Sequence, residues 1–292
     1  MEQTGRGADL LSGWSPWQRL PLAPAISSAV LAELLDGGQS FRWQRHAHGL
    51  WEGAWWTHRV RVREAGQIEW SAPAGRAADA APAILDYFGA GTDWRETADQ
   101  LPWRSDLHLA RAMSAYPGLR ILRQPFGETL LCFLCSAAKQ IVQIKQIAAA
   151  LAEPHGRLPT WPELHCLTEA NLRACKLGFR AQYVRQTAAF LAERPGWLEE
   201  TAALPYAEAK DRLRHLPGVG EKVADCVLLF GAGRLEAFPV DVWIIGAMAR
   251  RYGLKGWKPA QIAQFGRSHF GAGAGLAQQF LFAWERHHGR EA

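Results

Sequence analysis

Long apolar runs are missing from this chain of 292 residues. No stretch approaches the roughly 18 to 20 residues that a membrane-spanning helix needs. Met1-Glu2-Gln3-Thr4 does not begin a basic segment followed by an apolar one, so an intracellular protein without a membrane partner is expected. Cysteine is sparse and odd in number: Cys132, Cys135, Cys166, Cys175 and Cys226. A disulfide framework is thereby excluded as an expectation. Cys132-Phe133-Leu134-Cys135 has CxxC spacing, but no second pair and no histidine pair completes a zinc site. The neighbouring Leu130, Leu131, Phe133 and Leu134 predict a buried helix there instead, and no metal site is expected. Internal repeats and low-complexity segments are also absent. A composition of 48% hydrophobic and 21% charged residues is that of a globular protein, long enough for one large core or two to three modules.

What is present divides in two. Nine of the fourteen tryptophans precede residue 105, among alternating stretches such as His58-Arg59-Val60-Arg61-Val62-Arg63 and Gln67-Ile68-Glu69-Trp70. Turn formers at Gly49, Gly53, Ala65-Gly66 and Pro73-Ala74-Gly75 punctuate them, and alternation broken by turns predicts an antiparallel sheet. Beyond residue 105 the apolar period lengthens. Ile141, Ile144, Ile147, Ala148 and Leu151 fall three to four apart, as do Val223, Cys226, Val227 and Phe230, which is the spacing of one buried helix face. Pro154-His155-Gly156, Pro195-Gly196, Pro217 and Pro239 separate the helices. The expected fold class is α+β, with an N-terminal antiparallel β-sheet domain over residues 14–105 followed by an all-helical bundle over residues 106–292. Residues 1–13, rich in glycine and polar groups, are expected to fray. Charge follows the same division: up to residue 105 there are 10 basic and 12 acidic side chains, and beyond it 23 and 16. A nucleic-acid-facing surface would therefore lie in the C-terminal two thirds.

The richest segment is Leu216-Pro217-Gly218-Val219-Gly220-Glu221-Lys222-Val223-Ala224-Asp225-Cys226, followed by Phe238-Pro239-Val240-Asp241-Val242. A proline and two glycines predict a tight hairpin between helices, over about residues 206–232. Gly218 and Gly220 would let backbone N–H groups at a helix start approach a DNA phosphate, although an ordinary helix-helix turn uses the same residues. Lys222 reads either as a phosphate-binding cation or as a nucleophilic amine, since a helix N-terminus and burial both disfavour the ammonium form. Asp241, set among apolar neighbours, needs a reason to be there. It reads as a helix N-cap, as a stabiliser of developing positive charge, or as both.

These residues resemble the helix-hairpin-helix plus Gly/Pro-Asp motif of DNA base-excision glycosylases. Pro-Gly-Val-Gly-x-Lys-Val-Ala-Asp-Cys with Pro-Val-Asp-Val is most similar to the 8-oxoguanine DNA glycosylase family. Gly38-Gln39-Ser40-Phe41-Arg42-Trp43, Gly118-Leu119-Arg120-Ile121-Leu122-Arg123-Gln124, Leu177-Gly178-Phe179-Arg180-Ala181-Gln182-Tyr183-Val184 and Ala277-Gln278-Gln279-Phe280-Leu281-Phe282 follow in that family's order. The resemblance implies a glycosylase with apurinic/apyrimidinic lyase activity that flips 8-oxoguanine out of duplex DNA. Lys222 would attack C1′ and form a Schiff base, with Asp241 supporting the charge on the sugar. The Gly38 carbonyl would accept the N7 proton that guanine lacks, Cys226 and Phe282 would enclose the base, and Gln278 would meet its Watson–Crick edge. Gly218, Gly220 and Trp243 would lie at phosphates, Phe179 would wedge into the stack, and Arg180 would read the opposite cytosine. The implied partner is double-stranded DNA bearing an oxidised purine, bound by a monomer in a bacterial cytoplasm or a eukaryotic nucleus. No cofactor is implied, because the four-cysteine run of the superfamily's iron–sulfur branch is missing.

The chain departs from that family at one stretch. The usual run of asparagines and the arginine one turn later are replaced by Ala137-Ala138-Lys139-Gln140 and Gln143, which leaves Lys139 or Gln140 as the group facing the DNA gap. Trp243 stands where histidine is common. Two other readings stay open: a glycosylase for another damaged purine, and a non-catalytic helix-hairpin-helix DNA-binding protein. Lys222 argues against an alkyl-purine enzyme, and Lys222, Asp241, Gln278 and Phe282 together argue against a vestigial site.

Overall fold

The computed structural model describes residues 13–289, so the segment expected to fray lies, Gly13 apart, outside the described residues. Five strands, β1 (Gln18–Arg19), β2 (Trp43–Arg45), β3 (Trp51–Trp55), β4 (His58–Glu64) and β5 (Ile68–Ser71), form one sheet in the order β1-β5-β4-β3-β2. Every neighbouring pair is antiparallel. Alternation sets the faces: Val60 and Val62 of β4 point inward with Trp43, Trp51, Trp55 and Trp70, while Arg59, Arg61 and Arg63 face outward and pair with Glu52 and Glu69. Gly53, read from the sequence as a turn former, lies inside β3 opposite Trp43 of β2. It is glycine because the Trp43 indole packs onto its bare Cα, leaving no room for a Cβ.

The N-terminal region is not sheet alone. Helices Ser28–Asp36, Ala77–Tyr87 and Trp94–Asp99 lie within the span read as strands and turns, and Ala77–Tyr87 packs against β4. Asp93 starts the last of these by accepting the N–H groups of Arg95 and Glu96, the usual role of an N-cap carboxylate.

The rest of the chain is helical, as its period predicts. Helix Phe126–Leu134 runs through the core against helix Glu221–Ala232. Cys132 and Cys135 are buried there, where burial pushes the Cys135 thiol up to about 12, so the pair packs as apolar groups. Helix Ile141–Ala152 buries Ile144, Ile147, Ala148 and Leu151, each large side chain contributing about 1.5–3 kcal/mol of transfer free energy. Helix Ala274–His288 closes the bundle against helices Val242–Arg251 and Leu107–Ala115. Among the described residues no helix is long and apolar enough to cross a membrane.

One of the contacts between sheet region and bundle is made by the loop after the first helix. Gln39 donates from its side-chain amide to the Arg120 carbonyl (2.9 Å) and accepts from the Leu122 N–H (2.9 Å), while the Gln124 amide donates to the Gln39 carbonyl (2.7 Å). The Gly38-Gln39 loop is thereby fixed to the segment leading into the central helix.

Candidate active site

Helices Tyr206–Arg214 and Glu221–Ala232 are joined by the proline-glycine turn. Gly218 adopts φ +79°, and a Cβ there would stand 2.6 Å from Cδ2 of Tyr183, so only glycine fits. Gly220 is the N-cap of the second helix, with extended backbone and no side-chain cap among the described residues. Its position faces open space, and the first N–H groups of the helix are left for an incoming acceptor.

Lys222 follows in the first turn of that helix. Its Nζ donates to the Ser136 hydroxyl (3.3 Å) and lies 5.3 Å from the centre of the Phe133 ring. Ser136 in turn donates to the Phe133 carbonyl at 2.7 Å, so its lone pairs are what the lysine meets. Sequence reasoning did not single out Ser136; its signal was only its place at the end of a helix. Behind the hairpin, Asp225 accepts from the Tyr206 hydroxyl (2.7 Å) and forms an ion pair with Lys210 (2.9 Å). This buried group braces the two helices that present Lys222, and it too was missed.

Asp241 reaches the same place from the next helix. It is the N-cap of Val242–Arg251 and accepts the Ile244 N–H at 2.9 Å, so the cap reading holds as geometry. Burial pushes its carboxyl above the ordinary carboxylate range, against the lowering pull of that N–H and of the Lys222 cation. Cys226, one turn after Lys222, feels both groups, but burial dominates and pushes its thiol up to about 12. It is neutral at physiological pH and no second nucleophile.

Three elements converge on Gly38. Its φ is +104°, and a Cβ there would lie 3.1 Å from Ile141 Cδ1 and 4.0 Å from Phe282 Cε1. The structure thus brings together Gly38 after the first helix, Ile141 at the start of its helix, and Phe282 on the C-terminal helix. Gln278, one turn before Phe282, is buried and donates to the Pro239 carbonyl (3.1 Å) while accepting from Gln279 (2.7 Å). Its carboxamide is held two residues from Asp241. Ile141 was read from the sequence as part of a core face; its place beside Gly38 depends on a contact across about a hundred residues, which periodicity does not report.

The residues expected to face the DNA gap fall into two groups. Phe179 is 53% exposed, and the Arg180 guanidinium stacks on its ring at 4.2 Å. Arg180 itself is only 3% exposed, donates to the Leu177 carbonyl (3.3 Å), and has an Nε without a partner among the described residues. Ala138 takes a left-handed φ of 51°, Lys139 is half-buried, and Gln140 is the N-cap residue of the helix starting at Ile141, its backbone N–H donating to the Gln143 side-chain oxygen (3.1 Å). The Gln143 carboxamide oxygen is therefore engaged in the cap. Trp243 is half-buried in the first turn after Asp241.

A lysine opening the second helix of a hairpin, beside an aspartate after a proline, defines a helix-hairpin-helix base-excision protein. Residues 131–268 match the model of the HhH-GPD superfamily base excision DNA repair protein, and residues 22–130 match that of the 8-oxoguanine DNA glycosylase N-terminal domain. The N-glycosylase/DNA lyase of Saccharomyces cerevisiae is 30% identical over 271 residues, covering 79% of this chain and 70% of that protein. A probable N-glycosylase/DNA lyase of Methanothermobacter thermautotrophicus is 39% identical over 119 residues, 41% of this chain and 38% of its own length. The Clostridium acetobutylicum 8-oxoguanine glycosylase/lyase in complex with dsDNA containing cytosine opposite 8-oxoG superposes with a TM-score of 0.82 at 29% identity, over 95% of this chain and 99% of that one. The chain belongs to the 8-oxoguanine DNA glycosylase family.

Proposed function

We infer that this protein is a DNA repair glycosylase and apurinic/apyrimidinic lyase that excises 8-oxoguanine from duplex DNA. The observation that carries the reading is the Lys222 amine acting on the Asp241 carboxylate, with Gln278 of the Phe282 helix bonded to the Pro239 carbonyl beside Asp241 and Gly38 packed towards Phe282. A flipped base enters the slot between Phe282 and Cys226, with the Gly38 carbonyl as acceptor for the N7 proton of the lesion and Gln278 at the Watson–Crick edge. The neutral Lys222 amine forms a bond to C1′ as the glycosidic bond breaks, and the departing base takes up a proton. Asp241 stabilises the positive charge on the sugar during that step. Opening of the sugar ring then gives the Schiff base, from which loss of a C2′ proton and the 3′ phosphate cleaves the strand.

Gly218, Gly220 and Trp243 serve the phosphates, Phe179 fills the stack, and Arg180, Lys139 and Gln140 face the opposite strand. One copy of the chain acts on the DNA, inside the cell. The experiment is borohydride trapping on abasic and on 8-oxoguanine DNA. Wild type should form the covalent complex, and Lys222→Gln should form none while still binding lesion DNA. Trapping of Lys222→Gln at the wild-type level would assign the chemistry to another amine.

A further inference from the structure

Each of the three elements around Gly38 carries a charged side chain tied to another of them. Asp36, two residues before Gly38, pairs with Lys145 at 2.6 Å, and Lys145 is one helical turn after Ile141. Glu33, on the same helix as Asp36, accepts from Arg286 Nη1 at 2.9 Å, and Arg286 is one turn after Phe282. The Arg286 guanidinium also lies 5.7 Å from the Phe282 ring centre. His287 adds a contact of 3.3 Å to the other Glu33 oxygen. Glu33 is 8% exposed, so this pairing sits where water screens it poorly.

Gly37 belongs to the same device. A Cβ at Gly37 would collide with the Glu33 carbonyl and carboxylate, so the first glycine of the pair lets Glu33 fold back over its own helix end. The second, Gly38, faces the slot. The Gly37-Gly38 dipeptide therefore has two separate duties, one for the tie and one for the opening.

We propose that Glu33 and Arg286 are positioning residues that fix Gly38 relative to Phe282, and so hold the backbone acceptor in register with a base stacked on that ring. This rests on the function inferred above. A slot that must hold a planar base against a backbone acceptor is sensitive to displacement, and shifts of about 1 Å at a reacting centre can cost up to a hundredfold in rate. The lyase step on a pre-formed abasic site has no base to hold and does not depend on that register.

The test compares Glu33→Gln, Arg286→Met and the double variant in two assays: single-turnover release of 8-oxoguanine, and borohydride trapping on abasic DNA. Each single variant should release the base about ten- to a hundredfold more slowly. The double variant should lose no more than the worse single one, because both remove the same tie. Trapping on abasic DNA should stay within about twofold of wild type. Base release at the wild-type rate in both single variants overturns the proposal, as does a parallel fall in trapping, which would mark a general loss of structure. If Glu33→Gln does not fold, Arg286→Met carries the same comparison. Failure of wild type itself to release 8-oxoguanine would strike the functional reading and not the tie.

Discussion

Gly218 and Gly220, two positions apart in one turn, should respond oppositely to alanine. At Gly218 the backbone is left-handed, φ +79°, which costs an alanine about 1–2 kcal/mol. The new methyl would also meet Tyr183 Cδ2 at 2.6 Å, Cγ at 2.7 Å and Cβ at 3.0 Å. Contact with Cβ means that the ring cannot simply swing clear, so overpacking adds about 1–3 kcal/mol. Gly218→Ala should therefore lose about 2–5 kcal/mol, which at roughly 2–4 °C per kcal/mol lowers the melting temperature by about 4 to 20 °C. At Gly220 the backbone is extended, φ −95° and ψ −175°, and a Cβ meets no atom of the described residues within 4 Å. Its alanine should leave stability within about 1 kcal/mol of wild type. Its methyl instead stands in front of the uncapped helix N–H groups. DNA affinity should fall, and the slope of log K against log salt should flatten by about 0.9 for a lost phosphate contact. Urea unfolding followed by tryptophan fluorescence, together with a salt titration of duplex binding, measures both. A Gly218→Ala protein as stable as wild type, or a Gly220→Ala protein that binds DNA with unchanged salt dependence, refutes the reasoning.

Asp241→Asn keeps the helix cap and removes the charge, so single-turnover excision should fall by about 10²- to 10³-fold. Because burial holds the folded carboxyl above its ordinary range, ionising it costs folding stability, and that cost appears as pH rises through the raised value. The asparagine variant should accordingly melt at or above the wild-type temperature at neutral pH, an advantage that vanishes below about pH 3.9, where the carboxyl is protonated folded and unfolded alike; a clearly lower melting temperature at pH 7 would contradict this. Wild-type excision should decline with acid at a pH above the ordinary carboxylate range. Discrimination against bases other than cytosine opposite the lesion should be shallow, since Ala138 offers no side-chain donor and the Gln143 side-chain oxygen is engaged by the Gln140 N–H, while each base-edge contact supplies about 1–3 kcal/mol of discrimination. Excision opposite C, T, G and A, with Arg180→Ala alongside, checks it; a steep cytosine preference that survives in Arg180→Ala would point to another reader.

Local pattern made the hairpin, the buried helix faces and the strands of β4 and β5 legible, because each depends on residues within one or two turns of each other. Two of the helices of the N-terminal region escape the pattern for different reasons. Ala77–Tyr87 contains Pro82 and few large apolar residues, so its period is weak, whereas Asp93 with Glu96 three positions on was a readable helix start that was overlooked. At the site, Lys222, Asp241 and Cys226 share a neighbourhood because two short connections bring them there. Ser136 against Lys222 and Glu33 against Arg286 are separated by 86 and 253 positions. No period or spacing records such contacts; only the packed molecule does.

The span between Glu33 and Arg286 also orders events while the chain is being made. The helix that carries Glu33 leaves the ribosome 253 residues ahead of its partner, which at about 5–20 residues per second is a wait of roughly 13 to 50 s. Through that interval the Gly38 loop has neither Phe282 nor Arg286 to close on, and the hairpin lysine emerges before either of them. Helix Ala274–His288 brings Phe282 and Arg286 together, so the surroundings of Gly38 are completed only after the Lys222 amine has been made.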